Sequence, residues 1–105
     1  MIEFKRDFFP YKVEYEKAAE KFFRKHEDVR QAYINLLWEL YCLEHPEKVD
    51  IKTLKGKKGT YYRLRLGEWR IIYTITEGKM VIINTLNAGP RGDIYKKIGG
   101  LKSLL

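Results

Sequence analysis

The chain holds one cysteine, Cys42, two histidines and three prolines in 105 residues. A lone thiol excludes an internal disulfide, and its place within a helical pattern suits a small buried side chain. His26 and His45 stand far apart with no cysteine at ligand spacing, so neither a metal nor a cofactor is expected. No apolar run approaches the roughly 18 residues of a membrane span. The opening Met1-Ile2-Glu3-Phe4-Lys5-Arg6-Asp7 lacks the apolar core of a signal peptide, and the expectation is a cytoplasmic protein. There is no nucleophile elbow or phosphate loop, because Gly56-Lys57-Lys58-Gly59 is too short to form one.

Acid is scarce in the second half of the chain. Residues 1 to 51 carry nine Lys/Arg against eleven Asp/Glu, whereas residues 52 to 105 carry twelve against three. All of the net charge of +7 therefore belongs to the C-terminal half. A phosphate backbone is the commonest partner for such a field, although charge alone does not separate RNA from DNA or from an acidic protein.

With 45% hydrophobic residues and 14% aromatics, the chain has the composition of one folded domain, residues 1–105, without repeats or linkers. Residues 1–10 form an N-terminal extension of no assignable role. Tyr11-Lys12-Val13-Glu14-Tyr15 alternates like a strand. Ala18, Ala19, Phe22 and Phe23 recur at helical spacing between Glu16 and Lys25. A second helix is expected from a cap at Asp28 through Val29, Ala32, Tyr33, Leu36, Leu37 and Leu40 to about Leu43, with Pro46 ending it. Lys52 to Gly59 reads as a basic loop. The expected class is α+β: a small antiparallel sheet of about four strands packed on an N-terminal two-helix hairpin, with a short C-terminal tail or helix.

The strongest local signal is Gly67-Glu68, a two-residue loop with glycine first, which suits a primed hairpin turn. It sets Leu66 opposite Trp69, Arg65 opposite Arg70, Leu64 opposite Ile71, Arg63 opposite Ile72 and Tyr62 opposite Tyr73. Tyr62, Leu64, Leu66, Trp69, Ile71, Tyr73 and Ile75 then share one face, which is the core face. The other face carries Arg63, Arg65 and Arg70 with no acid partner expected there. Like charges directly opposed destabilise a strand pair, so a sequence shaped by folding alone tends to avoid them. A solvated sheet face is the plain alternative. A second turn at Glu77-Gly78 sets Ile75 against Met80, Tyr73 against Ile82 and Ile71 against Asn84, extending the core stripe through Met80, Ile82 and Leu86. Ile72, Val81 and Ile83 are left as an apolar patch on the opposite face, for Ile94 to Leu105 or a partner's helix to cover.

Lys52, Lys55, Arg63, Arg65, Arg70, Arg91 and Tyr95 can grip a phosphodiester and stabilise added negative charge on it. They include no ordinary general base, since arginine keeps its proton to about pH 12 or above.

Leu54-Lys55-Gly56, then the run from Tyr62 to Tyr73, then Arg91-Gly92-Asp93-Ile94-Tyr95 resembles the RelE/ParE toxin superfamily, over roughly residues 11 to 98. Tyr11 to Tyr15 with Lys17-Ala18-Ala19 is similar to the family's first strand and helix start. The resemblance implies a single RelE-like toxin domain of a type II toxin–antitoxin system. The activity it implies is a ribosome-dependent endoribonuclease that cuts mRNA in the A site by attack of a 2′-hydroxyl, without a metal. It puts Arg63 and Arg65 against the scissile phosphate, makes Arg70 a phosphate-binding arginine and has Tyr95 orient or stack on a base. Lys55 lies in the basic loop that contributes to the site in several relatives, with Lys52, Lys57 and Lys58 as further RNA-binding candidates, and Arg91 falls on the first arginine of a His-Arg-Arg segment. Pro90 stands in place of that histidine, Gly92 in place of the second arginine, and Gly89 where some members have an acid. The implied partners are mRNA on the ribosome and a small antitoxin in a hetero-oligomer. Gyrase-directed members of the same family, and non-catalytic binding modules of the same fold, are the alternative.

Overall fold

The computed structural model describes residues 11–41, 45–56, 59–78 and 80–90, with Tyr11 described by its backbone. In chain order the elements are β1 (Tyr11–Tyr15), α1 (Lys17–Lys25), α2 (Glu27–Tyr41), a 3-10 turn at Pro46–Lys48, β2 (Asp50–Gly56), β3 (Gly59–Leu66), β4 (Trp69–Thr76) and β5 (Val81–Pro90). The class is α+β, as expected, with two helices and one sheet. The sheet itself differs from the expectation. It has five strands rather than about four, in the order β1-β5-β4-β3-β2, and it is mixed because β1 runs parallel to β5. A parallel pair needs a crossover connection, and the helices lie within the segment that joins these two strands. Among the described residues no helix is long and apolar enough to cross a membrane.

The additional strand is β2, which occupies most of the expected basic loop. Its sequence Asp50-Ile51-Lys52-Thr53-Leu54-Lys55-Gly56 lacks the alternation of a half-buried strand, and only Leu54 is buried. Charges along an outer strand discourage edge-to-edge association with other chains, which accounts for a polar strand at this margin of the sheet.

The β3–β4 hairpin has the expected register throughout, from Leu66 opposite Trp69 to Tyr62 opposite Tyr73. Gly67 supplies φ +61° at the first turn position, a value that costs glycine little. The β4–β5 register is not the expected one. Ile75 faces Ile83 and Tyr73 faces Thr85, so the connection is longer than two residues. A shift by an odd number of residues exchanges the two faces of a strand. Ile83 is consequently fully buried on the helix side, while Met80, expected in the core, is 43% exposed. A bulge then intervenes: Ile72 pairs with Asn87, and Leu86 is passed over between Thr85 and Asn87. Leu86 packs with Leu54, Tyr61 and Ile72 in a small apolar cluster on the face away from the main core. The expected patch of Ile72, Val81 and Ile83 therefore does not form. Its expected cover, Ile94 to Leu105, lies outside the described residues.

The helices sit on one face and close the main core. Phe23 and Ala19 of α1 and Val29, Tyr33 and Leu37 of α2 are buried against Leu64, Ile71, Tyr73 and Ile83. Only His26 separates the helices, and its carbonyl accepts from the backbone N–H groups of Val29 and Arg30. Asp28, expected as the cap, lies inside the first turn of α2 beside Glu27, where both carboxylates suit the positive end of the helix dipole. Within the core Tyr33 and Thr85, both fully buried, share a hydroxyl hydrogen bond of 2.7 Å. Tyr41 and Tyr73 share another at 2.6 Å, and Tyr62 stacks on Tyr73.

Removing the Tyr33 hydroxyl leaves a buried threonine short of its partner. Tyr33→Phe is expected to lower stability by about 1–2 kcal/mol, read as an earlier midpoint in chemical denaturation at an unchanged m-value. Burial also lifts the Tyr33 phenol well above its ordinary 10, and the Tyr41 phenol to about 12. The unfolded phenols release their protons first, so stability is complete below pH 10 and declines as pH rises from 10 through 12. A denaturation midpoint that stays flat across that window would contradict the burial of these hydroxyls.

Candidate nucleic-acid interface

Strand pairing determines which side chains share the face opposite the helices. Arg65 lies opposite Arg70 on one side and Asp50 on the other, and Arg63 lies opposite both Lys52 and Ile72. Four cations and one carboxylate thus gather at one end of this face, next to the cluster of Leu54, Tyr61 and Ile72. The expectation of a face without an acid is corrected by Asp50. Its Oδ1 accepts from Arg63 Nη2 at 3.0 Å. The signal that would have found it is the recognition of β2 as a strand, since the register then delivers Asp50 to this face.

The three arginines are not equivalent. The Arg63 side chain is only 14% exposed and is held by Asp50, while its Nε donates to no described residue. Such orphaned donors are uncommon, and an arginine with one keeps capacity for another acceptor. Arg65 is exposed, and its Nε donates to the Gly67 carbonyl at 3.2 Å, which steadies the side chain without neutralising it. Arg70 is half-buried and faces Gly89 across β5, a position with no side chain to screen it. Among the described residues neither Arg65 nor Arg70 has a carboxylate within 4.0 Å. Two guanidinium groups on directly opposed residues, with about 5 Å between Cβ atoms, present a dense array of donors that suits a phosphate.

Of the lysines expected at the site, Lys52 joins the arginine face opposite Arg63. Lys55 does not. It pairs with Thr60, and alternation from Lys52 puts it on the helix side of the sheet. Lys57, Lys58, Arg91 and Tyr95 lie outside the described residues. Pro90 closes β5 opposite Trp69, so the chain is strand through Asn87, Ala88 and Gly89 to Pro90.

The fold and face together define a small α+β protein with a cationic sheet surface. Searched against protein-family models, the curated proteins and the solved structures, the chain has no match in any of the three.

The opposed arginines make a stability test that is independent of function. Arg70→Glu converts a like-charged cross-strand pair into an oppositely charged one, with an expected gain of about 0.5–1 kcal/mol at low ionic strength. The gain should shrink in 1 M salt, where the screening length is roughly 3 Å. Thermal unfolding in both buffers measures it, and an unchanged or lowered Tm at low salt would count against the Arg65–Arg70 pairing.

Proposed function

We propose that the protein is a toxin of a type II toxin–antitoxin system, a RelE-like endoribonuclease that cleaves mRNA in the ribosomal A site. The observation that carries this reading is the pair Arg65 and Arg70, opposed across one hairpin and free of acid partners among the described residues. In the proposed reaction the ribose 2′-oxygen attacks the adjacent phosphorus while its proton passes to a base. The bond from phosphorus to the 5′-oxygen breaks, and that oxygen takes up a proton. The products are a 2′,3′-cyclic phosphate and a free 5′-hydroxyl. Arg65 and Arg70 stabilise the charge that gathers on the phosphoryl oxygens, and Arg63, positioned by Asp50, adds a third guanidinium. Lys52 holds a flanking phosphate. From the family resemblance, Tyr95 holds an unstacked base and Arg91 adds a phosphate contact. An antitoxin that covers the arginine face would silence the protein by occupying the same surface.

The second reading is a non-catalytic binder of the same family, such as a gyrase-directed toxin. The pair Asp50–Arg63 favours it, because the carboxylate nearest the arginines is already engaged by a guanidinium.

Programmed ribosomes carrying a defined mRNA decide between the two. Purified protein is expected to produce A-site cuts visible by primer extension, and Arg65→Ala or Arg70→Ala is expected to lose them by at least about 100-fold while keeping the native circular dichroism spectrum. An absence of cuts with folded wild-type protein would reject the nuclease reading in favour of the binder. Cuts that survive both substitutions would reject the site.

A further inference from the structure

A groove of about 410 Å³ lies on the helix side of the sheet, where α1 crosses the outer margin of β5. It lies where β1 pairs with β5 only as far as Thr85, which leaves residues 86–90 without a strand on that side among the described residues. Lys21, Phe22 and Lys25 of α1 line it with His26 just beyond the helix, and Asn87 and Ala88 line it from β5. Its polar groups are predominantly donors. Asn87 pairs with Ile72, so its side chain belongs to the far face, where Oδ1 accepts the Ala88 N–H at 2.8 Å. Among the described residues no carboxylate lines the groove; Glu20 of α1 pairs with Arg24, and Glu27 at the start of α2 with Arg30.

Lys21 and Lys25 form no ion pair with any described residue, although they are four residues apart on one helix face, where like charges repel. Lys25 in the last turn suits the negative end of the helix dipole, but Lys21 stands a turn earlier and gains little from it. The groove also has an aromatic wall: the His26 ring stacks on Phe22 at 4.4 Å and lies 4.9 Å from Trp69. Cations with aromatic rings between them are what a single-stranded polynucleotide needs along its backbone and bases.

The groove meets the arginine face around the edge of β5. Trp69 and Arg70 are consecutive and point to opposite faces of the same strand end, and Arg70 faces Gly89, one residue beyond the groove-lining Ala88. We infer that Lys21 and Lys25 form a second backbone subsite for single-stranded RNA, continuous past Gly89 with the phosphate held by Arg65 and Arg70. This inference rests on the RNA reading of the arginine face.

A test uses fluorescence anisotropy with a labelled 12-nucleotide RNA carrying 2′-O-methyl groups throughout, which cannot undergo attack by its own ribose. Four proteins are compared across a salt series: wild type, Lys21→Ala/Lys25→Ala, Arg65→Ala/Arg70→Ala, and Lys12→Ala/Lys48→Ala, which removes the same charge at exposed positions elsewhere. Loss of two backbone contacts is expected to lower the slope of log affinity against log salt by about 1.4 in the Lys21/Lys25 variant. The Lys12/Lys48 variant should keep the wild-type slope. Equal slopes for the two lysine variants overturn the subsite. If binding falls in the arginine variant alone, the groove is rejected while the arginine face stands. Folded wild-type protein that does not bind the RNA overturns both.

Discussion

The structure turns on Thr85. Its backbone carbonyl accepts the Glu16 N–H at 2.8 Å, its hydroxyl bonds to Tyr33, and it lies between Tyr15 of β1 and Tyr73 of β4. One fully buried residue thus fixes where β1 stops, where α1 starts and how α2 sits on the sheet. The bulge follows immediately, and its single additional residue has a consequence at a distance. With the register that holds from Thr76 to Tyr73 continued, Arg70 would face Ala88; the bulge brings Gly89 opposite it instead. The bulge beside Thr85 thereby sets what faces a cation on the far side of the sheet. Bulges often re-aim side chains in this way beside working surfaces.

The cationic face is held in place by the same hairpin that it destabilises. Leu64, Ile71 and Tyr73, fully buried on the helix side, secure the pairing that brings Arg65 and Arg70 together. The apolar gain from burying such side chains, about 1.5–3 kcal/mol each, exceeds the repulsion of one like-charged pair, at most about 1 kcal/mol. Asp50 pairs with Arg63 and leaves the repulsion between Arg65 and Arg70 in place. The division gives one anchored arginine and two with unneutralised charge.

The sequence was most legible where local chemistry and tertiary context agree. Gly67 fixes a turn geometry that few other residues tolerate, and alternation from that turn is sufficient to order every pair of β3 and β4. The stretch from Val81 to Ile83 was misread because an assumed two-residue turn set the β4–β5 register off by an odd number of residues, which exchanges the faces. Glu77-Gly78 resembles a tight turn but lies within a longer connection. β2 was missed because a polar edge strand resembles a loop, and the error carried Lys55 to the wrong face and hid Asp50. Counting charge by halves of the chain also obscured Lys21 and Lys25, whose acidic neighbours in sequence are paired elsewhere in space.

The parallel pairing of β1 with β5 also bears on how the chain reaches this fold. Tyr11 and Val81 are neighbours in the sheet but about 70 residues apart in sequence. Closing a loop of that size is entropically expensive, and contacts so distant in sequence slow folding. During synthesis β1 emerges early and waits, with its hydrogen-bonding groups unpaired, until β5 has followed. The β3–β4 hairpin, whose contacts are local, can form well before. In the interval, the edge that β5 will later occupy is open to strands from other chains, and Lys12 and Glu14 on β1 provide the charge that discourages them.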